Sequence, residues 1–373
     1  MRRIDVLIVG GGPAGATAAL NLAPLRDVVI VERNAAPSPR IGESLPAAAR
    51  RLFRDMGLLD QFLAEGHAPC YGQRSVWGDA SPQERDATAD PDGHGWHLDR
   101  VRFEQWLRDV AIARGAEFLA PATITNIERD GDSWRVTIGE IELLASMIID
   151  AAGRSAPLAR RLGAQTRIDD RLICGFLYGR DEQPGGRGLT FVEATEDGWW
   201  YSAPIPDDRR IVAFHTDSDL SAARIARDRD ALLAHTTSAG ELRALLASSG
   251  FAADAESGFT AAHSATLDPC AGDGFLAAGD AALAFDPLSS QGLLNALYTG
   301  LAAAEATDSH LRGDASALAR YREMIVLIAD AYRKHLALWY GMEQRWPEAE
   351  FWKRRHSPPF AASAPNQLRD EDL

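Results

Sequence analysis

Three glycines and one carboxylate carry the first recognisable chemistry in this chain. Gly10, Gly12 and Gly15 form a G-x-G-x-x-G turn that follows the apolar run Ile4–Val9 directly. In that spacing Gly10 permits a tight turn, Gly12 lets a diphosphate approach the backbone, and Gly15 lets a helix pack closely on a strand. Pro13 suits the first helical position because its missing N–H would be unpaired there. Ala14 begins the helix-forming run behind it. The free amides and positive end of that helix would face a diphosphate. A second apolar run, Val28–Val31, ends in Glu32. A carboxylate there accepts hydrogen bonds from an adenosine ribose and repels a 2′-phosphate. The expected ligand is a dinucleotide, either FAD or NAD.

A second constellation lies far along the chain. Gly279-Asp280 closes the buried run Gly274–Ala278, which places Asp280 at a strand's carboxyl end, where open α/β sheets bind ligands. Its carboxylate can accept hydrogen bonds from the hydroxyls of a ribityl chain. The segment Phe285–Ala296 then turns and restarts a helix near Gln291, with Ser289 and Gly292 in the turn. A helix N-terminus beside a flavin stabilises the negative charge that the ring acquires on reduction. Ser289, Gln291 and Gly292 are therefore cofactor-binding candidates. Glu43 is a candidate acid or base. His97, Trp199 and Tyr201 are candidates for contact with substrate. Trp199-Trp200-Tyr201 would alternate faces on a strand, with two rings towards a pocket and Trp200 towards the core. His94 and His97 lack a neighbouring set of ligands for a metal site.

The elements that must position these residues read as an α/β fold: a doubly wound, Rossmann-like nucleotide domain and a sheet-based second domain. The first domain is expected to be discontinuous, comprising 1–165 plus 269–310, with 166–268 as the substrate domain between its parts. Residues 311–356 read as a C-terminal helical region and 357–373 as a tail. Helical spacing covers Ala47–Leu63, Ala222–Leu246, Gly292–Ala306 and Ala317–Trp346. Asp99 reads as the N-cap of a helix that Gly115 stops. Asp130-Gly131 marks a hairpin. Strands are expected at Gly72–Val76, Leu172–Tyr178, Thr190–Ala194, Trp199–Ala203 and Arg210–His215. The polar stretch Asp79–Gly95 reads as a mobile surface loop.

Composition narrows the partners. The 373 residues carry a net charge of -14, which disfavours a nucleic-acid partner. No apolar run approaches membrane-spanning length. Cys70, Cys174 and Cys270 are widely spaced, so neutral buried thiols in a reducing, cytoplasmic compartment are expected. The only lysines are Lys334 and Lys353.

The set Gly10–Gly15, Glu32-Arg33, Ile149-Asp150-Ala151-Ala152-Gly153 and Gly279-Asp280 resembles the fingerprints of the FAD-dependent aromatic hydroxylases and flavin halogenases. That resemblance implies FAD rather than NAD, with Arg33, Arg40, Ser44, Arg100 and Asp280 contacting it. The loop Gly42–Pro46 and the run Asp286–Gly292 resemble the halogenase branch in particular. Trp199–Pro206 matches that branch's W-x-W-x-I-P signature only in part, and no lysine precedes Lys334 to direct hypohalous acid. Arginine does not replace it readily, so halogenation is disfavoured. The runs Ile41–Pro46, Gly66–Cys70, Gly95–Arg100 and Trp199–Pro206 resemble the flavoproteins that mature tryptophylquinone cofactors. The function implied is a monooxygenase that hydroxylates a tryptophan of a partner protein through a flavin C4a-hydroperoxide. NAD(P)H would supply electrons, directly or through a reductase. The rival readings are an FAD-dependent reductase or dehydrogenase of a small molecule and, in a different class, a flavin-holding maturation chaperone.

Overall fold

The computed structural model describes residues 1–87, 90–183, 188–272 and 274–357. Its first lobe is built on five parallel strands. In spatial order they are Phe275–Ala277, Ile141–Asp150, β1 (Arg2–Val9), β2 (Val28–Val31) and Glu117–Leu119. The central strands are near-continuous runs of Val, Ile and Leu, as burial on both faces requires. Their register sets the site. Val9 pairs with both Val31 and Asp150, and Asp150 pairs with Ala277. The carboxyl ends of four strands therefore finish level, and the turns that follow them rise from one edge. The hairpin Asn126–Asp130 with Ser133–Ile138 extends this sheet, turning at Gly131 with a φ of 62°.

The helix α1 (Pro13–Leu22) returns along one face of this sheet. Gly15 packs against the β1 turn so tightly that a Cβ there would lie 1.9 Å from the Gly10 carbonyl oxygen. The helix Gly292–Leu311 crosses α1 equally closely, because a Cβ at Gly300 would lie 2.5 Å from the Ala14 carbonyl oxygen.

The second lobe is a seven-stranded sheet. Its order is Phe251–Ala261, Leu172–Asp181, Arg209–Asp217, Gly198–Ile205, Thr190–Thr195, Gly72–Val76 and Gln83–Asp86. One face packs towards the first lobe. The other carries Trp200, Phe214 and Val212 under the short helices Ala223–Arg227, Arg229–His235 and Gly240–Ser249. Both faces of the four central strands, Leu172–Asp181, Arg209–Asp217, Gly198–Ile205 and Thr190–Thr195, are covered, which is why these read as largely apolar, whereas the edge strand Gln83–Asp86 is exposed.

Several expectations are revised. The second sheet takes Gly72–Val76 and Gln83–Asp86 from within 1–165, so its strands cross the expected boundary at 165/166. Gln83–Asp86 lies inside the stretch read as a loop, and residues 88 and 89 of that stretch lie outside the described residues. Ala47–Leu63 forms two helices, Ala49–Asp55 and Leu59–Ala64, because Gly57 adopts a φ of 68° between them. Ala222–Leu246 is three helices, the second capped by Asp228, which accepts from the Ala231 amide. Ala317–Met342 ends before Trp346. Asp99 does cap the helix Arg100–Ala113, accepting from the Arg102 amide at 3.0 Å. Most of the expected tail, from residue 358, lies outside the described residues.

Candidate functional site

A cleft of about 520 Å³ opens at the level strand ends, between the two sheets. Gly10, Gly12, Pro13 and Ala14 line one side of it, followed by Glu32 and Arg33 from the end of β2. Arg40, Ser44 and Arg100 line the loop side. Asp280 and Gly292 bring the distant segment to the same space. Tyr201 reaches in from the second sheet.

Local geometry explains why two segments remote in sequence meet here. Gly279 adopts a φ of 61°, and a Cβ on it would lie 2.7 Å from that of Ala14. Its amide donates to Thr299 Oγ1 at 2.8 Å, and Thr299 in turn donates to the Asn295 carbonyl at 2.6 Å. The helix that crosses α1 therefore also fixes the turn presenting Asp280. Asp280 pairs with Arg154 at 2.8 Å, and Arg154 Nη2 donates to the Phe285 carbonyl.

Glu32 accepts from the Gly11 amide at 2.8 Å and from the Asn34 amide at 2.9 Å. It thus closes the glycine turn while still lining the cleft. Arg108, only 3% exposed, donates from Nε to the Gly11 carbonyl at 2.9 Å. Its guanidinium stands 3.9 Å from Glu32 and stacks over Phe118. Arg100 donates to the Ile41 and Gly42 carbonyls and pairs with Glu104 at 2.5 Å. These bonds hold the 41–44 loop against the cleft. Arg40 is exposed and stands 3.6 Å from Glu104.

Seven of the sequence candidates do not line the cleft. Gly15 and Gly279 lie behind it in the close packing just described. Ser289 turns inward to donate to the Asp286 carbonyl, and Ser290 lines the cleft in its place. Gln291 is the residue before the helix Gly292–Leu311 and is exposed. Glu43 is 1% exposed, accepting from Tyr178 Oη at 3.1 Å and from the Gly42 amide. Burial raises its pKa, and Arg100 opposes that shift. His97 is fully buried and bonds Thr190 Oγ1 at 2.8 Å. Trp199 is core: it donates to Tyr340 Oη at 3.2 Å and lies flat on the His215 ring.

The expectation of neutral thiols also changes at Cys70, which is only half-buried. Burial raises its pKa, but hydrogen bonding and charge from His97, helped by Thr190, outweigh that and bring it down to about 6. Cys174 and Cys270 are pushed up by burial.

Sequence reasoning missed Arg108, Arg154, His215 and Asp286, all of which line the cleft. A signal for Arg108 was present: it shares the face of its helix with the buried Glu104 and Ala111, where an unpaired cation is not tolerated. Asp286 is buried. It accepts from Tyr340 Oη at 2.7 Å and from the Leu288 amide at 2.9 Å. Burial, reinforced by Asp170, pushes its carboxyl up to about 7.

The cleft fits a flavin dinucleotide. At Gly12, Gly153 and Gly292, all lining it, an added Cβ would meet no atom within 4 Å. The helices starting at Pro13 and Gly292 both lack a side-chain cap, so their first-turn amides remain available to an anionic ligand.

A parallel nucleotide sheet with its glycine turn, closed over by a second sheet, defines an FAD-dependent oxidoreductase of the flavin halogenase and monooxygenase superfamily. The chain belongs to the FAD binding domain family, whose model matches residues 3–331. It is 28% identical over 377 residues to an FAD-dependent oxidoreductase, LodB, of Marinomonas mediterranea, spanning 96% of this chain and 98% of that one. It is 25% identical over 323 residues to a 1H-pyrrole-2-carbonyl-[peptidyl-carrier protein] brominase of Pseudoalteromonas luteoviolacea, covering 83% and 78% of the two chains. Among solved structures it is similar to the flavin-dependent halogenase CmlS, with a TM-score of 0.83 and 29% identity over 95% of this chain and 68% of that one. It shares its fold with the peptidyl tryptophan dihydroxylase QhpG, with a TM-score of 0.76 and 24% identity over 96% and 79%. No helix among the described residues is long and apolar enough to cross a membrane.

Proposed function

We propose that this protein is an FAD-dependent monooxygenase that hydroxylates an electron-rich aromatic ring, specifically a tryptophan side chain carried by a partner protein during maturation of a quinone cofactor. Monooxygenation, rather than halogenation, rests on one observation. The chain's two lysines, Lys334 and Lys353, both lie outside the cleft, so no lysine is placed to direct a hypohalous acid to substrate. The cleft's cations are arginines, too basic to deliver a proton. The choice of a peptidyl tryptophan is supported by the fold shared with QhpG, whose name records that substrate, and by the runs Ile41–Pro46, Gly66–Cys70 and Gly95–Arg100.

In this reading Gly12, the first turn of α1 and Arg33 and Arg40 hold the diphosphate. Glu32 takes the adenosine ribose. Asp280, oriented by Arg154, takes the ribityl hydroxyls. The uncapped helix start at Gly292 stabilises negative charge on the reduced ring. When bound and reduced, FAD supplies the activation of O₂: one oxygen atom enters a ring C–H bond, and the other leaves as water with two electrons from NAD(P)H, delivered directly or through a reductase. The chain's part is to position substrate and exclude water.

The test is stopped-flow reduction of the flavin by NADH and NADPH, with and without a tryptophan-bearing candidate protein, followed by mass analysis under labelled O₂. The expected result is one labelled oxygen per turnover. Anaerobic turnover without oxygen incorporation would assign a reductase instead. A brominated product in the presence of bromide would restore the halogenase reading.

A further inference from the structure

The second sheet contributes one cross-strand row to the cleft. Thr260 pairs with Cys174, Cys174 with His215, and His215 with Trp199. Directly opposed residues share a face of the sheet. The first three of these residues line the cleft, and the fourth backs it.

Within that row His215 stands out chemically. It is 1% exposed, and among the described residues the Trp199 backbone is the one hydrogen-bond partner its ring approaches, which leaves one ring nitrogen with none. Buried ring nitrogens are rarely left so, because each forfeits its bond to water. The neighbouring polar groups are already committed: Tyr201 Oη bonds Ser44 Oγ at 3.1 Å, and Trp199 Nε1 bonds Tyr340 Oη. Trp199 stacks on the imidazole at 3.7 Å with an interplanar angle of 5°, and Tyr340 is itself anchored to Asp286. The imidazole plane is therefore held in place, with one nitrogen unspent.

We propose that His215 orients the aromatic substrate, accepting a hydrogen bond from a ring N–H or O–H that enters the cleft against the second sheet. The proposal rests on the aromatic-hydroxylase reading and narrows it: the substrate ring carries a donor, as indole does. Burial, reinforced by the Arg355 charge and opposed by the ring's hydrogen bond to the Trp199 backbone, pushes the His215 pKa down to about 3, so the ring is neutral and keeps an acceptor nitrogen at working pH.

The experiment uses FAD-loaded protein titrated with N-acetyl-tryptophanamide and its N-methylindole counterpart, reading the flavin absorbance change. The two probes differ only in the ring donor. The parent protein should bind the N–H probe roughly fivefold more tightly, the worth of one ordinary hydrogen bond. His215→Leu should bind both probes with the weaker affinity, while His215→Gln, which keeps an acceptor, should retain part of the preference. A purely structural role would weaken both probes alike and leave their ratio unchanged. Equal binding of both probes to the parent protein, absence of binding, or an undiminished ratio in either variant overturns the proposal. Should His215→Leu not fold, the parent ratio and His215→Gln still decide. The two readings separate cleanly. A preserved ratio effect with no oxygen insertion refutes the hydroxylase and leaves His215 in place. Insertion with no ratio effect does the reverse.

Discussion

Gly12→Val separates cofactor binding from folding. Gly12 has φ −78° and ψ −173°, an extended conformation open to any L residue. A Cβ placed there meets nothing within 4 Å. Valine gains by restricting the unfolded chain, worth about 0.5 kcal/mol, and loses as a helix-capping residue, worth about 1 kcal/mol. The net cost to the flavin-free protein is thus about 1 kcal/mol or less. A chain of this length should lose only about 1–2 °C in Tm. In the proposed binding mode the same side chain stands where the diphosphate approaches the amides of α1. Losing two charge-assisted hydrogen bonds, at about 1.5–3 kcal/mol each, weakens FAD by at least about a hundredfold. Gly15→Ala is the contrast. Its Cβ would lie 1.9 Å from the Gly10 carbonyl oxygen, so the β1–α1 turn must open and stability should fall with affinity. The assay pairs thermal melts of the flavin-free proteins with fluorescence titration of FAD. Gly12→Val protein that melts normally and binds FAD within threefold of the parent would refute the placement of the diphosphate.

Three further outcomes are expected. Arg108→Met removes the Nε bond to the Gly11 carbonyl and leaves Glu32 without its nearest cation, so stability should drop by roughly 2–3 kcal/mol in chemical denaturation and FAD should bind more weakly. Asp286, raised to about 7 by burial, keeps a proton that the unfolded chain releases near pH 4. Its contribution is therefore full below about pH 4 and lost as pH climbs through about 7, so the parent should lose up to about 4 kcal/mol relative to Asp286→Asn across that window; parallel stability–pH curves for the two proteins would contradict this. Iodoacetamide should alkylate Cys70 with a rate midpoint near its pKa of about 6, and His97→Asn should move that midpoint up by more than a unit; peptide mapping with Cys70→Ser as control gives the readout.

What the sequence made legible was local. The β1 turn, Pro13 at the helix start, Glu32 at the end of β2 and Asp99 as a cap each follow from a few adjacent residues, and each has its expected place. Faces were harder. Alternation along Trp199-Trp200-Tyr201 correctly separates Trp200 from its neighbours, yet it does not say what lies opposite. Trp199 meets His215 and Tyr340, whereas Tyr201, two residues on, meets the cleft. His97, a candidate for substrate contact, turns away from the cleft for the same reason. Its neighbour Arg100 does reach the cleft, but the strand Gly95–His97 turns the imidazole towards Thr190, a contact across 93 residues that no short motif encodes. Gly72–Val76 read as a strand, but nothing local tells which of two sheets it joins.

The close approach of small residues links the legible part to the hidden part. Gly15 was assigned to helix–strand packing, and it does lie against Gly10. The adjacent Ala14 does a second job: its carbonyl backs Gly300, and its Cβ backs Gly279. Any side chain larger than hydrogen at Gly300 would force the helix Gly292–Leu311 away from α1, and one at Gly279 would push its own turn off Ala14. That helix carries Thr299, which holds the Gly279 amide, and Gly292, whose end faces the cleft. Separating the two helices would therefore move Asp280 and the Gly292 amides away from the glycine turn together. The glycine turn and Asp280 are thus one mechanical unit, although more than 250 residues divide them in sequence. The fit of the cleft to a flavin depends on that contact as much as on any residue that would touch the ring.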